Sequence, residues 1–334
     1  MEQKQLKINI YGFLVELFLD ERLIEVCEKL ENDFSFFIDN DFKIDKKMKI
    51  HASKVSSLDL IPDGLIASKQ TKNSIIYDSG NLRYQDFYGL AHGLLNYSDE
   101  TLLVQSLGTE TLYEVLYLAI LSRSGKYLDT LGFHKIHACA VSKNNKNIIL
   151  MLPSKGGKTS TFLKLLEDPE VCIISDDTPL ISPRGELLPF PLRVGVEDKE
   201  DLYVFSADDI YEFQRRNYSK KYLLSLKSFP NEIKVAEKNI LVIGVRTRLE
   251  KPSLRKVSGL YMFFKMIEHM VIGNGLPMIV EYFLRAKLKD NFTNLKILVS
   301  RSLRCTKLIL NAKRYEIYLS KDIEKNAKLV KSLL

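Results

Sequence analysis

The sequence predicts an α/β fold, because its second half runs strand, glycine loop, helix, strand, acid. Three observations lead there. An apolar run at residues 147–152 precedes Pro153-Ser154-Lys155-Gly156-Gly157-Lys158-Thr159. A helical stretch to about residue 166 follows, with Phe162, Leu165 and Leu166 on one face. A second apolar run at 171–175 then ends in Asp176-Asp177. The 334 residues are 46% hydrophobic and 27% charged. That balance supports a full core in one large or two ordinary domains and argues against general disorder.

The elements follow in order. Residues 7–19 mix β-branched and aromatic side chains and predict a strand. Leu23, Val26, Cys27 and Leu30 then share one face of a short helix. Strand-like runs come at 34–38, 74–77 and 82–87. Residues 109–131 predict a long helix, with Leu112, Val115, Leu116, Ile120 and Leu121 at helical spacing and Gly132 as its stop. These elements make residues 1–130 a smaller α+β domain. In residues 131–334, strands at 136–141 and 147–152 are joined by a turn rich in Asn and Lys. Beyond the acids, 239–245 predicts a strand. Residues 256–272 predict a helix with Leu260, Phe263, Phe264 and Ile267 inward, broken by Gly273-Asn274-Gly275. Pro277 opens another helix to about 288. Strands are expected at 295–299, 307–310 and 315–319, and a helix at 323–334.

The bulk properties narrow the class. Residues 1–7 are polar, and the apolar stretch after them is cut by Glu16, Asp20 and Glu21, so no secretory signal is expected. No run approaches the roughly 18 apolar residues that span a bilayer. A cytoplasmic protein that does not enter membranes is the expectation. Cys27, Cys172 and Cys305 are scattered and suit small buried hydrophobes in a reducing compartment. The net charge of +7 and pI near 8.9 suit anionic ligands such as nucleotide phosphates, and equally plain solubility. Basic clusters lie at Lys46-Lys47, Arg215-Arg216, Lys220-Lys221 and from Arg301 to Lys307; they suit a solvated face, or an acidic acceptor or RNA.

The loop carries the chemistry. Glycines let several amide hydrogens point at one anion, and the following helix adds its dipole there. Lys158 would reach the β- and γ-phosphates, and Thr159 would place its hydroxyl on magnesium. Asp176 and Asp177 stand at the C-terminal end of the next strand, where open α/β sheets hold ligands. One acid suits magnesium and the other suits taking a proton from an acceptor hydroxyl. Read locally, Asp-Asp-Thr-Pro is also an ordinary turn. His137 lies on the strand before the loop and suits either a core position or support of an acid. Cys139, two residues on, shares its sheet face, but no further ligands for a metal appear.

Together, His137-Ala138, residues 153–159, Ser175-Asp176-Asp177 and Pro189-Phe190-Pro191 resemble the HPr kinase/phosphorylase-like group. That group is related to phosphoenolpyruvate carboxykinase and includes kinases acting on peptides. The resemblance covers about residues 130–200. It implies an HPr-kinase-like P-loop core with a mixed sheet, in residues 131–334. It implies that Ser154, Gly156, Gly157 and Lys158 hold the phosphates of ATP; Lys155, Thr159 and Ser160 complete the expected nucleotide-binding stretch, where Lys155 either adds charge near the nucleotide or faces solvent. It implies Asp176 as general base supported by His137, with Thr159 and Asp177 on Mg2+; the two acids are interchangeable in this assignment. Where the family loop usually reads Gly-x-Ser-Gly-x-Gly-Lys, Leu152 and Lys155 replace the first two glycines. An arginine beyond the acids often helps neutralise the phosphate in that family, and Arg193, Arg246 and Arg248 are the candidates.

The expected activity is transfer of the γ-phosphate of ATP to a hydroxyl, on Ser or Thr of a peptide or protein or on a small-molecule alcohol. Residues 1–130 are expected to present the acceptor. The alternative is a nucleotide-regulated, nucleic-acid-binding or regulatory protein without kinase activity. A carboxykinase-type lyase would need a second metal site, for which the sequence offers no residues.

Overall fold

The computed structural model describes residues 3–40, 48–153, 156–202, 205–214, 219–276 and 288–334. The chain divides into two compact units. Unit 1 is Met1–Ser124 with Glu212–Lys221, and unit 2 is Gly125–Tyr211 with Tyr222–Leu334.

Unit 1 is built on an eight-stranded mixed sheet. Its strands are β1 (Gln3–Ile10), β2 (Phe13–Asp20), β3 (Met48–Lys54), β4 (Lys69–Gln70), β5 (Ile75–Ser79), β6 (Leu82–Asp86), β7 (Ala91–Asn96) and β8 (Thr101–Ser106). They lie in the order β1-β2-β3-β8-β7-β6-β5-β4, with β3 parallel to both neighbours. The single strand expected at 7–19 is the β1–β2 hairpin. Tyr11 and Gly12 take φ of 49° and 90° between Ile10 and Phe13, a two-residue turn whose hand matches the strand twist. Tyr is a rare residue there, which hid the turn. Helix α1 (Ile24–Asp33) buries Val26, Cys27 and Leu30 as expected. The run at 34–38 is a 3₁₀ turn, Ser35–Phe37, instead of a strand. Helix α2 (Thr109–Thr130) buries Leu112, Val115, Leu116, Ile120 and Leu121. It ends at Gly132 (φ 82°), where the Phe133 amide donates to Leu128 O and the Gly132 amide to Asp129 O, a cap that requires the left-handed residue.

Unit 2 centres on a six-stranded mixed sheet. Its described strands are β9 (His134–Lys135), β10 (Cys139–Lys143), β11 (Lys146–Met151), β12 (Cys172–Ser175), β13 (Leu180–Ile181), β14 (Leu187–Leu188), β15 (Val194–Val196), β16 (Ile210–Phe213, across the unit boundary), β17 (Lys221–Leu224), β18 (Lys238–Arg246), β19 (Ser253–Lys256) and β20 (Ala312–Leu319). The central order is β12-β10-β11-β18-β20-β19. Strands β11, β18 and β20 are parallel, and β10 is antiparallel to both β11 and β12. Hence β12 runs in the direction of β11 but not beside it, because β10 lies between them. The β10–β11 turn uses Asn144 and Asn145 at φ of 50° and 58°.

The sheet is buried on both faces. Ile148, Leu150, Ile240 and Val242 join one core with Phe162, Leu165 and Leu166 of helix α3 (Lys158–Leu166). Their alternates Ile149, Met151, Leu241 and Ile243 join a second core with Met262 and Met266 of helix α4 (Gly259–Met266) and Cys305, Leu308 and Ile309 of helix α5 (Leu288–Leu310). The period of two along each strand sends successive side chains into opposite layers. Helix α6 (Ile323–Lys331) adds Val330 to the first core.

Three expectations for the C-terminal part are corrected. The strands expected at 295–299 and 307–310 are both parts of α5. Its buried positions, Ile297, Arg301, Cys305, Leu308 and Ile309, follow helical spacing, but one of them is an arginine, which broke the apolar stripe. Arg301 is therefore no surface contact: it is 2% exposed and pairs with buried Asp129. The helix expected from 256 begins at the Ser258 cap, whose hydroxyl accepts from the Tyr261 amide, and continues through a π-helical segment, Ile267–Ile272. Its buried residues are Met262, Met266 and Met270; Phe263 and Ile267 pack partly buried against the same core as expected, whereas Leu260 and Phe264 are 70% and 63% exposed. The helix expected from Pro277, and the clusters Lys46-Lys47 and Arg215-Arg216, lie outside the described residues. Among the described residues, no helix is long and apolar enough to cross a membrane.

Candidate functional site

The C-terminal ends of β11, β12, β18 and β20 lie on one edge of the sheet. The glycine loop leaves β11 at that edge, the acid pair leaves β12, and Arg246 ends β18. Ser154 and Lys155 lie outside the described residues; the loop is described again from Gly156. The Gly156 amide donates to Pro153 O at 2.8 Å, and a Cβ on Gly156 would stand 2.7 Å from that same oxygen. Gly157 takes φ of 78° at the start of α3. Both glycines are thus demanded by the local backbone, while Lys158, Thr159 and Ser160 form the first turn of the helix.

Leu152, which follows β11 into the loop, is a core residue. It is buried, and its side chain fills the space above Gly244 of β18, where an added Cβ would fall 2.2 Å from Leu152 Cδ2. Gly244→Ala is expected to destabilise unit 2 by about 1–3 kcal/mol through overpacking. The same substitution in a Leu152→Ala background should cost much less, as read from paired urea unfolding curves.

The functional side chains converge on the acids. Lys158 Nζ donates to Asp177 Oδ1, and His137 Nε2 lies 3.3 Å from the same oxygen. Thr159 Oγ1 donates to Asp176 Oδ2 at 3.3 Å. The histidine therefore faces Asp177, where sequence order had paired it with Asp176. The strand expected at 136–141 is broken at 136–138: the His137 amide donates to His269 O and the Ala138 amide to Asp177 O. His137 is held from below by Gly275 (φ 89°), where a Cβ would meet its ring at 2.7 Å. His269 lies 6.1 Å away, ring to ring, so both it and Gly275 stand beside His137. Burial, then the charge of His137, lower the His269 pKa. Cys139 is fully buried, and that burial pushes its thiol above the ordinary range. It belongs to the core.

The electrostatics favour a fixed ion pair. Desolvation pushes the Asp177 carboxyl up, but Lys158 and His137 outweigh it and hold the group well below the usual carboxylate range. Desolvation likewise works against the Lys158 ammonium, and Asp177 and Asp176 outweigh it and raise its pKa. Both groups stay charged at neutral pH. Arg193 is buried, and Arg246 and Arg248 are exposed at the end of β18 and just beyond it.

Lys135 is a cation that sequence reasoning missed. It is buried, with its Nζ 3.9 Å from the centre of the Phe190 ring. Burial lowers its pKa from 10.5 to about 7, against the pull of Asp129 and Asp177. The only signal was its place in the strand entering His137. Between these two pKa values the unfolded chain binds more protons than the folded one, so stability rises with pH from about 7 to about 10.5. Lys135→Met is expected to lack that rise and to be more stable than wild type at pH 7. Chemical unfolding at several pH values checks this.

Compared with protein families and with curated proteins, the chain matches none.

Proposed function

We propose that unit 2 is a magnesium-dependent kinase that transfers the γ-phosphate of ATP to a hydroxyl, with Ser or Thr of a peptide or protein as the first acceptor class and a small-molecule alcohol as the second. One observation carries the proposal. Lys158 from a glycine loop meets Asp177 from the next strand of the same direction, with His137 on that acid and Thr159 on its neighbour. An HPr-kinase-like P-loop core is the fold reading that fits this edge, where loop, acids and the β18 arginine gather.

In this mechanism the amides from Gly157 onward, at the α3 N-terminus, bind the phosphates. Lys158 exchanges its partner, from the Asp177 carboxylate to the β- and γ-phosphate oxygens. Asp177 thereby loses its strongest counter-charge and becomes the better base. It accepts the acceptor's proton while His137 orients it and shares the charge. Thr159 Oγ1 and Asp176 Oδ2 are adjacent hard oxygens and fit Mg2+, which takes one or two protein oxygens and completes its shell with phosphate and water. Bound there, the ion would neutralise charge on the phosphates. Arg246, exposed at the end of β18, is the arginine candidate on this edge for the γ-phosphate.

The test is acceptor-dependent ADP formation, surveyed over peptide pools rich in Ser and Thr and over small alcohols. Phosphorylation of any hydroxyl acceptor supports the proposal. ATP binding without transfer to any acceptor, together with tight RNA binding that weakens steeply with salt, would favour the regulatory alternative.

A further inference from the structure

A second constellation lies away from the phosphate loop. Asp129, near the end of α2, His134 on β9 and Ser300 in α5 form one hydrogen-bonded chain. His134 Nδ1 lies 2.7 Å from Asp129 Oδ1, and His134 Nε2 lies 2.8 Å from Ser300 Oγ. Asp129 and His134 are buried, while Ser300 is half-buried. Arg301 also pairs with Asp129, sharing Oδ1 with His134 and reaching Oδ2, and donates to Val271 O and Ile272 O. Asp129 is desolvated, yet His134 and Arg301 keep its carboxyl lowered and ionised. An ionised Asp129 accepts the hydrogen bond from Nδ1–H, which leaves Nε2 to accept from the Ser300 hydroxyl. That is the order of roles in which a serine is activated as a nucleophile.

Ser300 also faces an open apolar patch along α5. A shallow depression of about 400 Å³ is lined by Leu295, Lys296, Val299, Ser300, Leu303 and Arg304 of that one helix. Leu295, Val299 and Leu303 are exposed there, and Lys296 and Arg304 stand one turn to either side of the serine. Among the described residues, Arg304 Nε is buried without a hydrogen-bond partner. An N–H left in that state is a donor waiting for an anionic or carbonyl oxygen.

We propose that Ser300 is a nucleophile for carboxylic esters with an apolar acyl chain, with His134 as its base and Asp129 as the group that orients the base. Ser300 Oγ bonds to the ester carbonyl carbon as its proton passes to His134 Nε2. The C–O bond to the alcohol then breaks, and His134 returns the proton to the leaving oxygen. Water repeats the sequence on the acyl-serine and releases the acid, so ester and water become alcohol and acid. The α5 amides are engaged within the helix, so the oxyanion falls to the side chains of Arg304 and Lys296.

The test is intact-mass spectrometry of the full chain after incubation with a fluorophosphonate carrying an alkyl chain. The expected result is one adduct, mapped to Ser300, absent from Ser300→Ala and formed about 100-fold more slowly in Arg304→Met. His134→Gln should also abolish it, but a buried histidine risks the fold, and half-buried Ser300 and Arg304 keep the test independent of that. No adduct on wild type, or an equal adduct on Ser300→Ala, would overturn the proposal and leave the chain of hydrogen bonds as a tie between α2 and α5. The loop and its acids play no part in this readout.

Discussion

Asp177→Asn is expected to lower acceptor-dependent ADP formation by about 1000-fold, the scale of a general base. Nucleotide affinity should hold or improve, because the substitution removes a negative charge that competes with the phosphates for Lys158. An amide of nearly the same shape keeps the contact with His137 available while removing the basic oxygen. The variant therefore separates binding from transfer. Steady-state ADP release and equilibrium nucleotide binding, measured on the same preparation, check it. If Asp177→Asn transfers phosphate at the wild-type rate while Asp176→Asn does not, the roles follow sequence order and the position of His137 has misled.

The second large effect concerns magnesium. Thr159→Val and Asp176→Asn each remove one of the two adjacent oxygens proposed for the ion. Each is expected to raise the magnesium concentration needed for half-maximal nucleotide binding by about tenfold or more, roughly the loss of one charge-assisted contact. Asp177→Asn should leave that concentration near the wild-type value. A magnesium titration at fixed nucleotide reads all three variants. The pattern matters more than any single value, because it assigns the two neighbouring acids separately.

The parts of the site that were legible in the sequence are those set by neighbours along the chain. Gly157 and Lys158 begin a helix whose inward residues Phe162, Leu165 and Leu166 are all buried, as their spacing required. The acids stand at the end of β12 because an apolar strand must finish where its polar turn begins. What was not legible depends on distant partners. Leu152 is tolerable beside the loop only because Gly244, on another strand, leaves room for it. Adjacent acids diverge at a strand end, so order alone did not decide which one His137 meets. Helix α5 was misread because the run from Leu295 to Val299 looks β-branched and apolar, while its buried stripe passes through Arg301. Asp129, which makes that arginine a core residue, belongs to another helix.

The most direct test of the central claim is a calorimetric titration of ATP with magnesium into wild type, Lys158→Ala and the double variant Lys158→Ala/Asp177→Asn. The double variant removes both members of the ion pair and so guards against an unpaired carboxylate disturbing the fold. Saturable binding by wild type, weakened about 100-fold or more in both variants, is the predicted result. No binding by wild type, or equal binding by all three, would contradict the phosphate loop and with it the proposed kinase.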